Sequence, residues 1–436
     1  MHIEFTKHRL DNGLDVLVHE DHGCPIVAVN VWYHVGSKNE QPGRTGFAHL
    51  FEHLMFEGSQ HHDKGYFQPL QEAGGSLNGS TNSDRTNYWE VVPRNALDLA
   101  LWMESDRMGY LLPALTEHKF NNQREVVLNE RRQNYENRPY GLAGMAIVSS
   151  LFPPEHPYHW LTIGAAEDIK AAKLEDVRAF FQTYYRPRNA SLALAGDITT
   201  EDALLMAEEY FGEIDAGEPP PPVQFEAPGP LSSERRLLLE DRVELPRLYM
   251  SWHAPALFAQ DDAELDLVAD VLAGGKTSRL YRTLVYDERI ATEVAASQNS
   301  REIGGFFQVV ATAAPGRTLA ELERAISREI AKLIEQGPTD AEMERCQAQA
   351  EAHFVYRLQT VGGFGGKSDQ LNAYNVFLGD PSFFDRDLER YRAVTPERMQ
   401  QAAKAWLRPT GRVVLSVVPK GRVGLALADS SAVAVS

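Results

Sequence analysis

Cysteine is scarce in this sequence: Cys24 and Cys346 are the only two among 436 residues. Two thiols are too few for a disulfide framework or for a metal centre built on cysteine thiolates. The sequence also lacks any apolar run of about 18 residues or more, so we expect no helix that spans a membrane. Its start, MHIEFTKHRLDNG, lacks the basic and apolar segments of a secretory signal. We therefore expect a cytoplasmic protein, or a periplasmic one whose signal has been removed.

Positive charge is in deficit, with 43 Lys and Arg against 61 Asp and Glu and a formal net charge of −18. A field of this sign repels phosphates, which excludes general binding of nucleic acids and of anionic membranes. Hydrophobic residues (43%) and charged residues (24%) stand at ordinary globular levels. The length suffices for two to four domains, at about 100–200 residues per domain.

A proline-rich segment divides the sequence. Residues 214–234 read IDAGEPPPPVQFEAPGPLSSE, with four consecutive prolines and no helical or strand periodicity. Such a composition is typical of a stiff, extended spacer. We therefore predict an N-terminal domain at 1–213, a linker at 214–234 and a C-terminal domain at 235–436.

The two halves resemble each other near their ends. Residues 172–196 (AKLEDVRAFFQTYYRPRNASLALAG) align with 394–418 (VTPERMQQAAKAWLRPTGRVVLSVV) at a constant offset of 222. In both segments a helical pattern stops at Arg-Pro and an apolar strand pattern follows. This indicates an internal duplication. The predicted fold class is therefore α+β, with two homologous domains that each have a mostly antiparallel sheet and helices packed on one face.

Within the N-terminal half, the residue pattern alternates between strands and helices. Asp11-Asn12-Gly13 is a hairpin turn signal, and the β-branched run at 26–34 predicts a buried strand. Hydrophobic periodicity predicts helices at about 45–58, 96–108 and 117–137, and a pair of strands at 76–82 and 86–92.

The most informative segment, GFAHLFEHLMFEG at 46–58, contains His49, Glu52 and His53 in the order H-x-x-E-H. On a helix, residues four apart project from one face, so the two imidazoles can reach one divalent ion. Glu52, beside His53, is placed to take a proton from a metal-activated water. This order is a metalloprotease signature. Taken without context, a solvated or cation-capping histidine pair is the competing interpretation.

A catalytic zinc takes three protein ligands and keeps one position for water. The third ligand would be a histidine or a carboxylate elsewhere in the chain. The predicted helix that contains QREVVLNE, residues 123–130, offers Glu130. The spacing alone leaves Glu125 and Glu136 open as well.

Taken together, these segments resemble the pitrilysin/insulinase family of inverzincin zinc peptidases, above all its short bacterial members and the subunits of the mitochondrial processing peptidase. The resemblance covers nearly the whole chain and rests on GFAHLFEHLMFEGS, GGSLNGSTNSDRTNYWEVVP, LALWMESDRM, REVVLNERRQNYENRPYG and ADVLAGGKTSRLY. It implies that His49, His53 and Glu130 bind one zinc ion and that Glu52 is the general base. It also implies that the C-terminal domain has no metal site.

The resemblance further implies a substrate-binding strand at Asn78, Gly79 and Thr81, whose backbone would pair with a peptide substrate. Backbone pairing tolerates many side chains, so specificity would have to come from pockets. The competing interpretation is that Asn78 and Thr81 only shape an edge strand.

The sequence departs from the family pattern in two places. Active members carry a glutamate seven residues before the third ligand, where this chain has Gln123, an amide that can hydrogen-bond but holds no charge. Members also carry an Arg and a Tyr, seven residues apart, that reach over the zinc site. Counted from Ser278-Arg279-Leu280, those positions are Val285 and Thr292. We therefore expect a heterodimer with a related chain that supplies the Arg/Tyr pair, and a homodimer as the second expectation.

The expected function is thus that of a zinc-dependent endopeptidase subunit that hydrolyses oligopeptides or unfolded polypeptides. Two alternatives stay open. One is a peptidase dedicated to processing a single precursor. The other is a non-catalytic zinc-binding scaffold subunit of a two-chain peptidase, which Gln123, Val285 and Thr292 favour.

Overall fold

The computed structural model describes residues 2–227, 229 and 231–435. Contacts group the chain into two compact units. The first comprises the residues up to Glu130 together with Trp160–Gln224 and His353–Arg386, and the second comprises Arg131–His159, Phe225–Ala352 and the residues from Asp387 onward.

Neither unit is a continuous segment of the chain. Residues 131–159 pack with the second sheet, and residues 353–386 pack with the first. The boundaries 1–213, 214–234 and 235–436 stay a prediction. Within the described part of 215–233, no residue belongs to a helix or strand. Pro228 and Pro230, which the predicted linker includes, lie outside the described residues.

The first unit is built on a sheet whose strands, within the described residues, are β1 (Thr6–Arg9), β2 (Asp15–Glu20), β3 (Ile26–Tyr33), β4 (Ser76–Thr81), β5 (Thr86–Pro93) and β6 (Ala190–Gly196). Their order is β1-β2-β6-β3-β5-β4. β2 and β6 are parallel, and the other neighbours are antiparallel. β4 therefore lies at an edge.

The second unit is built on a sheet of β7 (Arg235–Asp241), β8 (Arg247–Ala254), β9 (Ala291–Arg301), β10 (Gly304–Ala313), β11 (Arg412–Pro419) and β12 (Ser431–Ala432). Their order is β12-β7-β11-β8-β10-β9. β7 is parallel to β11 and to β12, and the remaining neighbours are antiparallel.

The α-helices among the described residues are α1 (Phe47–Leu54), α2 (Phe67–Glu72), α3 (Leu97–Ala114), α4 (Glu117–Arg131), α5 (Ala143–Leu151), α6 (Ala166–Ala171), α7 (Leu174–Tyr184), α8 (Thr200–Phe211), α9 (Asp262–Ala273), α10 (Leu319–Gln336), α11 (Asp340–Arg357), α12 (Lys367–Leu378), α13 (Phe384–Arg392) and α14 (Pro396–Trp406). Arg132–Glu136 and Tyr281–Asp287 form π-helical turns. Short 3₁₀ turns occupy Ser37–Asn39, Arg94–Ala96, Pro187–Asn189, Pro381–Phe383 and Val423–Leu425. No helix among the described residues is long and apolar enough to cross a membrane.

The predicted duplication is visible in the elements themselves. α7 and β6 recur as α14 and β11, each beginning 222 residues later. The order β2-β6-β3-β5-β4 in the first sheet matches β7-β11-β8-β10-β9 in the second, with the parallel pair in the same place. The predicted fold class, α+β with two homologous, mostly antiparallel sheets, is confirmed.

An additional helix packs across the opposite face of the first sheet. Trp32 of β3 contacts Phe377 of α12, whereas the next residue, Tyr33, contacts Tyr185 on the other face. α12 meets the sheet largely through hydrogen bonds: Asn372 Nδ2 donates to the Asn30 carbonyl, at 2.8 Å. Because the face of α12 that contacts the sheet includes polar residues, hydrophobic periodicity in the sequence does not identify it as a buried face.

The first unit also contains a buried ion cluster. The Arg107 guanidinium donates from Nε to Glu104, at 2.9 Å, and from Nη2 to Glu90, at 3.3 Å. The rings of Tyr66 and Tyr88 lie 4.0 and 4.2 Å from the guanidinium carbon. All three side chains are almost completely buried, and burial together with the neighbouring Glu104 holds the pKa of Glu90 well above its usual value. The buried Arg107 charge therefore depends on its acidic partners.

Candidate metal centre

α1 carries the H-x-x-E-H residues and is anchored by its apolar face. Phe47, Leu50, Phe51 and Leu54 are buried, and the ring of Phe51 stacks on Tyr185 with 4.6 Å between centroids. The opposite face of the helix points outward and presents the two histidines. The helix is shorter than the predicted segment 45–58, since it ends at Leu54.

The N-terminal end of α1 is held by a residue that the sequence pattern does not single out. The buried Glu40 carboxylate accepts hydrogen bonds from the backbone N–H of Gly46, at 2.9 Å, and of Ala48, at 2.8 Å. These bonds satisfy two of the backbone N–H groups that have no partner within a helix at its N-terminus. Burial raises the pKa of Glu40 to about 8, and the two backbone hydrogen bonds oppose the rise. Glu40 lies in a loop outside any motif, so no periodic signal reveals it.

His49, His53 and Glu130 come together in the first unit. Glu130 Oε2 lies 3.6 Å from His49 Nε2 and 3.5 Å from His53 Nε2. The two imidazole rings are perpendicular, with 4.9 Å between their centroids. Among the described residues, this is the one group of three or more His, Cys, Asp or Glu side chains whose ligand atoms lie within 4.8 Å of one another.

The donor set and its spacing fit a zinc ion. Ligands held about 2.0–2.1 Å from zinc at tetrahedral angles lie roughly 3.4 Å apart, close to the two distances above. Burial, and after it the neighbouring His53, lowers the pKa of His49 to about 3. His49 is therefore neutral near pH 7, which is the form of the imidazole that binds metals. Three protein ligands of this kind would leave the fourth position of a tetrahedral zinc ion to a water.

Glu52 lies beside this group, next to the edge strand. The Thr81 hydroxyl, at the end of β4, lies near the Glu52 carboxylate. Burial raises the pKa of Glu52, and the Thr81 hydroxyl and the charges of His53 and Arg85 partly offset the rise. A carboxyl group with a raised pKa holds a proton more readily, which suits a group that must take up a proton and release it again.

The three residues of the predicted substrate strand lie on β4. Thr81 lies near Glu52, while Asn78 is exposed and lines the same cavity as the histidines. A Cβ atom at Gly79 would lie 3.1 Å from the Phe56 ring, so the strand passes close to that wall. Arg85 braces β4, because its Nη1 donates to the Ser80 carbonyl, at 2.8 Å. Their role in substrate binding stays a prediction.

The other acidic residues considered as third ligands are absent from the group. Glu125 is exposed on α4, and Glu136 is exposed and pairs with Arg131, at 3.1 Å. Gln123 lines the cavity and donates from Nε2 to Glu57 Oε1, at 2.5 Å. The Gln123 amide thus donates a hydrogen bond to Glu57, which an ionised glutamate at position 123 could not do.

Val285 and Thr292 belong to the second unit. The Val285 side chain is partly buried against the apolar core, and the Thr292 hydroxyl donates to the Thr312 carbonyl, at 3.4 Å. Arg279 is committed to Glu342 through two hydrogen bonds of 2.7 and 2.6 Å. Where the family has its Arg and Tyr, this chain therefore has an apolar side chain that packs in the core, Val285, and a short hydroxyl side chain, Thr292.

An open cavity of about 1000 Å³ surrounds the group. Beyond the three candidate ligands and Glu52, its walls combine the aromatic side chains of Phe56, Tyr66 and Phe67 with acids and amides. Its size and its opening admit a segment of polypeptide.

Two family models match the chain. Residues 15–152 match the model described as Insulinase (Peptidase family M16), and residues 171–350 match the model described as Peptidase M16 inactive domain. The chain belongs to peptidase family M16. The predicted family is thereby confirmed.

Individual M16 relatives agree with this assignment. Zinc protease PqqE of Helicobacter pylori is 29% identical over 362 residues, which are 82% of this chain and 81% of that protein. The crystal structure of a protease from Helicobacter pylori has a TM-score of 0.88 at 25% identity and covers 95% of this chain and 100% of that one. A probable mitochondrial-processing peptidase subunit beta of Arabidopsis thaliana is 24% identical over 80% of this chain and 66% of that protein. These names support a zinc peptidase in general terms.

Proposed function

We propose that this M16 chain is a zinc-dependent endopeptidase subunit that hydrolyses peptide bonds of oligopeptides or unfolded polypeptides. One observation carries the proposal: Glu130 Oε2 meets the Nε2 atoms of His49 and His53 at 3.5–3.6 Å, beside the carboxylate of Glu52. The open cavity and the edge strand β4 supply the place for an extended peptide.

In this proposal His49, His53 and Glu130 hold the zinc ion. When bound, the zinc ion supplies a Lewis acid that polarises the peptide carbonyl and makes water acidic enough to attack near neutral pH. Glu52 takes the proton of the attacking water and then gives it to the leaving amine. The nearby Thr81 hydroxyl favours the charged form of Glu52, which is the form that accepts a proton. The backbone of β4 pairs with the substrate, so one site accepts many sequences.

The proposal includes a partner chain. Val285 and Thr292 cannot supply the cationic and phenolic groups that the family places over the carbonyl, and one relative is named as a subunit. The missing groups would therefore come from a related chain. The tagged chain isolated from its own cells should bring this partner with it. That complex should exceed the chain purified alone by at least about tenfold in kcat/KM, because one oxyanion donor is worth that much or more. Equal activity would contradict the two-chain proposal.

The peptidase proposal is tested on an unstructured, internally quenched peptide. A zinc chelator should abolish its cleavage, and about one equivalent of zinc per chain should restore it. A folded protein of similar length serves as the matched substrate and should stay uncut, because an edge strand pairs only with an extended segment. Cleavage that survives complete removal of the metal would contradict the proposal.

A further inference from the structure

A second cavity, here called the distal cavity, lies in the first unit and has a volume of about 480 Å³. Ser76, at the start of β4, contributes to it together with Trp89 and Val91 of β5. Ile26 and Val361 add apolar surface. The volume lies within the range of about 300–1,000 Å³ that is typical of ligand pockets.

The distal cavity lies on the face of β4 that carries Ser76 and Asn78, whereas Glu52 lies near Thr81, which belongs to the other face. Asn78, exposed at the edge, also lines the cavity of the candidate metal centre. Ser76 is directly opposite Val91, and Asn78 is directly opposite Trp89, so these side chains share one face. Alternate residues, Thr81 among them, point to the other face. Each end of the same edge strand is thus associated with one of the two cavities.

The wall opposite the sheet is a glycine-rich loop, VGGFGG at 361–366, and it is firmly placed. A Cβ atom at Gly362 would lie 2.5 Å from the Ala28 Cβ, so only glycine lets the loop approach the sheet this closely. The buried Asp369 carboxylate accepts hydrogen bonds from the Gly365 N–H, at 2.8 Å, and the Trp32 indole, at 2.9 Å. The cavity is therefore formed before any ligand arrives.

An extended peptide paired with the free edge of β4 would direct alternate side chains to the two faces of the sheet. Side chains on one face would meet Glu52 and the candidate metal ligands, and side chains on the other face would reach the distal cavity. Ser76 and Thr81 are five residues apart, or about 17 Å at 3.4 Å per residue.

We propose that the distal cavity binds an apolar side chain of the peptide substrate, about five residues from the bond that is cleaved. The inference rests on the proposed function, since it takes the cleaved bond to lie beside Glu52. The apolar walls of Ile26, Trp89, Val91 and Val361 favour a leucine-sized or phenylalanine-sized side chain, because burying it removes apolar surface from water.

The test uses the zinc-loaded complex that the tagged chain forms in its own cells. Its substrates are a series of quenched peptides in a serine-rich background, with one leucine moved through positions two to eight on each side of the cleaved bond. Mass spectrometry of the products identifies that bond. We expect kcat/KM to rise about tenfold when the leucine stands near the fifth position on one side. Val361→Glu, which puts a carboxylate into the cavity, should remove this advantage. Val355→Glu, at an exposed valine on α11, is the matched control and should retain it.

Chemical labelling of the folded protein tests the same cavity without a substitution that could disturb folding. Cys24 is exposed and lines the distal cavity, whereas Cys346 is buried. A bulky maleimide on Cys24 should lower the ratio of kcat/KM between the favoured and the all-serine peptide, and the same reagent on the Cys24→Ser protein is the blank. No positional preference, or a preference unchanged by both the label and Val361→Glu, would overturn the inference while the peptidase proposal stands. If no peptide is cleaved, the proposed function fails and the inference fails with it.

Discussion

The side-chain amide of Gln123 and the carboxylate of Glu57 face each other across the cavity wall, with 2.5 Å between Nε2 and Oε1. Gln123→Glu would set two carboxylates against each other. Repulsion between the two charges would raise the pKa of one of these carboxyl groups in the folded variant. The folded variant would therefore hold a proton that the unfolded chain releases. Relative to wild type, the variant should therefore lose stability as the pH rises from 4 to 8, by about 1–2 kcal/mol at pH 8.

Urea unfolding at both pH values measures this loss. Gln68→Glu is the matched control, because Gln68 Nε2 also donates to a glutamate, Glu72 Oε1, at 2.8 Å, and both side chains are exposed. Its effect should stay below about 0.5 kcal/mol, since solvent screens exposed charges. A Gln123→Glu penalty that does not change with pH would contradict this account.

Of the three glutamates considered as third ligand, Glu130 is the one that lies next to His49 and His53. Glu130→Gln removes the charged oxygen that lies 3.5 Å from His53, so the zinc affinity should fall at least about tenfold. Glu125→Gln, on the exposed side of the same helix, is the control and should leave the affinity unchanged. Competition with a zinc-binding dye gives both affinities. Equal losses in the two variants would show that charge in general, not coordination, holds the ion.

Arg107 stabilises the first unit by compensating Glu90 and Glu104. Arg107→Met would leave the buried pair of Glu90 and Glu104 without its cation and its hydrogen-bond donor, and the free energy of unfolding should fall by about 3–5 kcal/mol. Arg94→Met removes an exposed arginine that pairs with Asp197, at 3.4 Å, and should cost less than about 1 kcal/mol. Urea denaturation measures the free energy of unfolding of both variants. Equal losses would show that the buried ion cluster stabilises the fold no more than an exposed ion pair does.

Asp266, on α9, should make the second unit less stable as the pH rises. Burial raises its pKa to about 7, although Tyr391 donates a hydrogen bond of 2.6 Å to it. The folded state therefore keeps a proton that the unfolded state loses near pH 4, and stability falls between pH 4 and pH 7. The fall is at most about 4 kcal/mol, since each tenfold change in proton affinity is worth about 1.4 kcal/mol.

In Asp266→Asn, this pH dependence should be reduced, because the amide does not titrate. Glu344→Gln, at an exposed position of α11 in the same unit, controls for the loss of one acidic group. Urea midpoints at pH 4, 5.5 and 7 provide the measurement. An unchanged pH profile in Asp266→Asn would contradict the assignment.

Much of the architecture could be predicted because it is encoded locally or by repetition. The Arg-Pro stops after α7 and α14 mark the two copies, and the spacing of His49 and His53 places both on one helix face. The proximity of Thr81 and Glu52 could not be predicted from spacing, since it brings a strand next to a helix 29 residues earlier in the chain. Neighbours of this kind are set by tertiary packing.

The same reason explains what sequence analysis missed. Glu40 stabilises α1 from a loop, and α12 docks on the sheet through Asn372 and Asp369, which are polar residues buried by hydrogen bonds. The glycine-rich loop at 361–366 beside them has a composition that is typical of flexible segments. In the structure it is a cavity wall, because Asp369 and the close approach of Gly362 hold it against the sheet.

Bound zinc and peptide turnover should be measured on the same samples of wild type, Glu52→Gln and His53→Ala, each isolated with its partner chain. The account predicts about one zinc per chain in wild type and in Glu52→Gln, with turnover in Glu52→Gln reduced by at least about a hundredfold. His53→Ala should lose both zinc and turnover. Undiminished cleavage by Glu52→Gln, or full zinc in His53→Ala, would contradict the account.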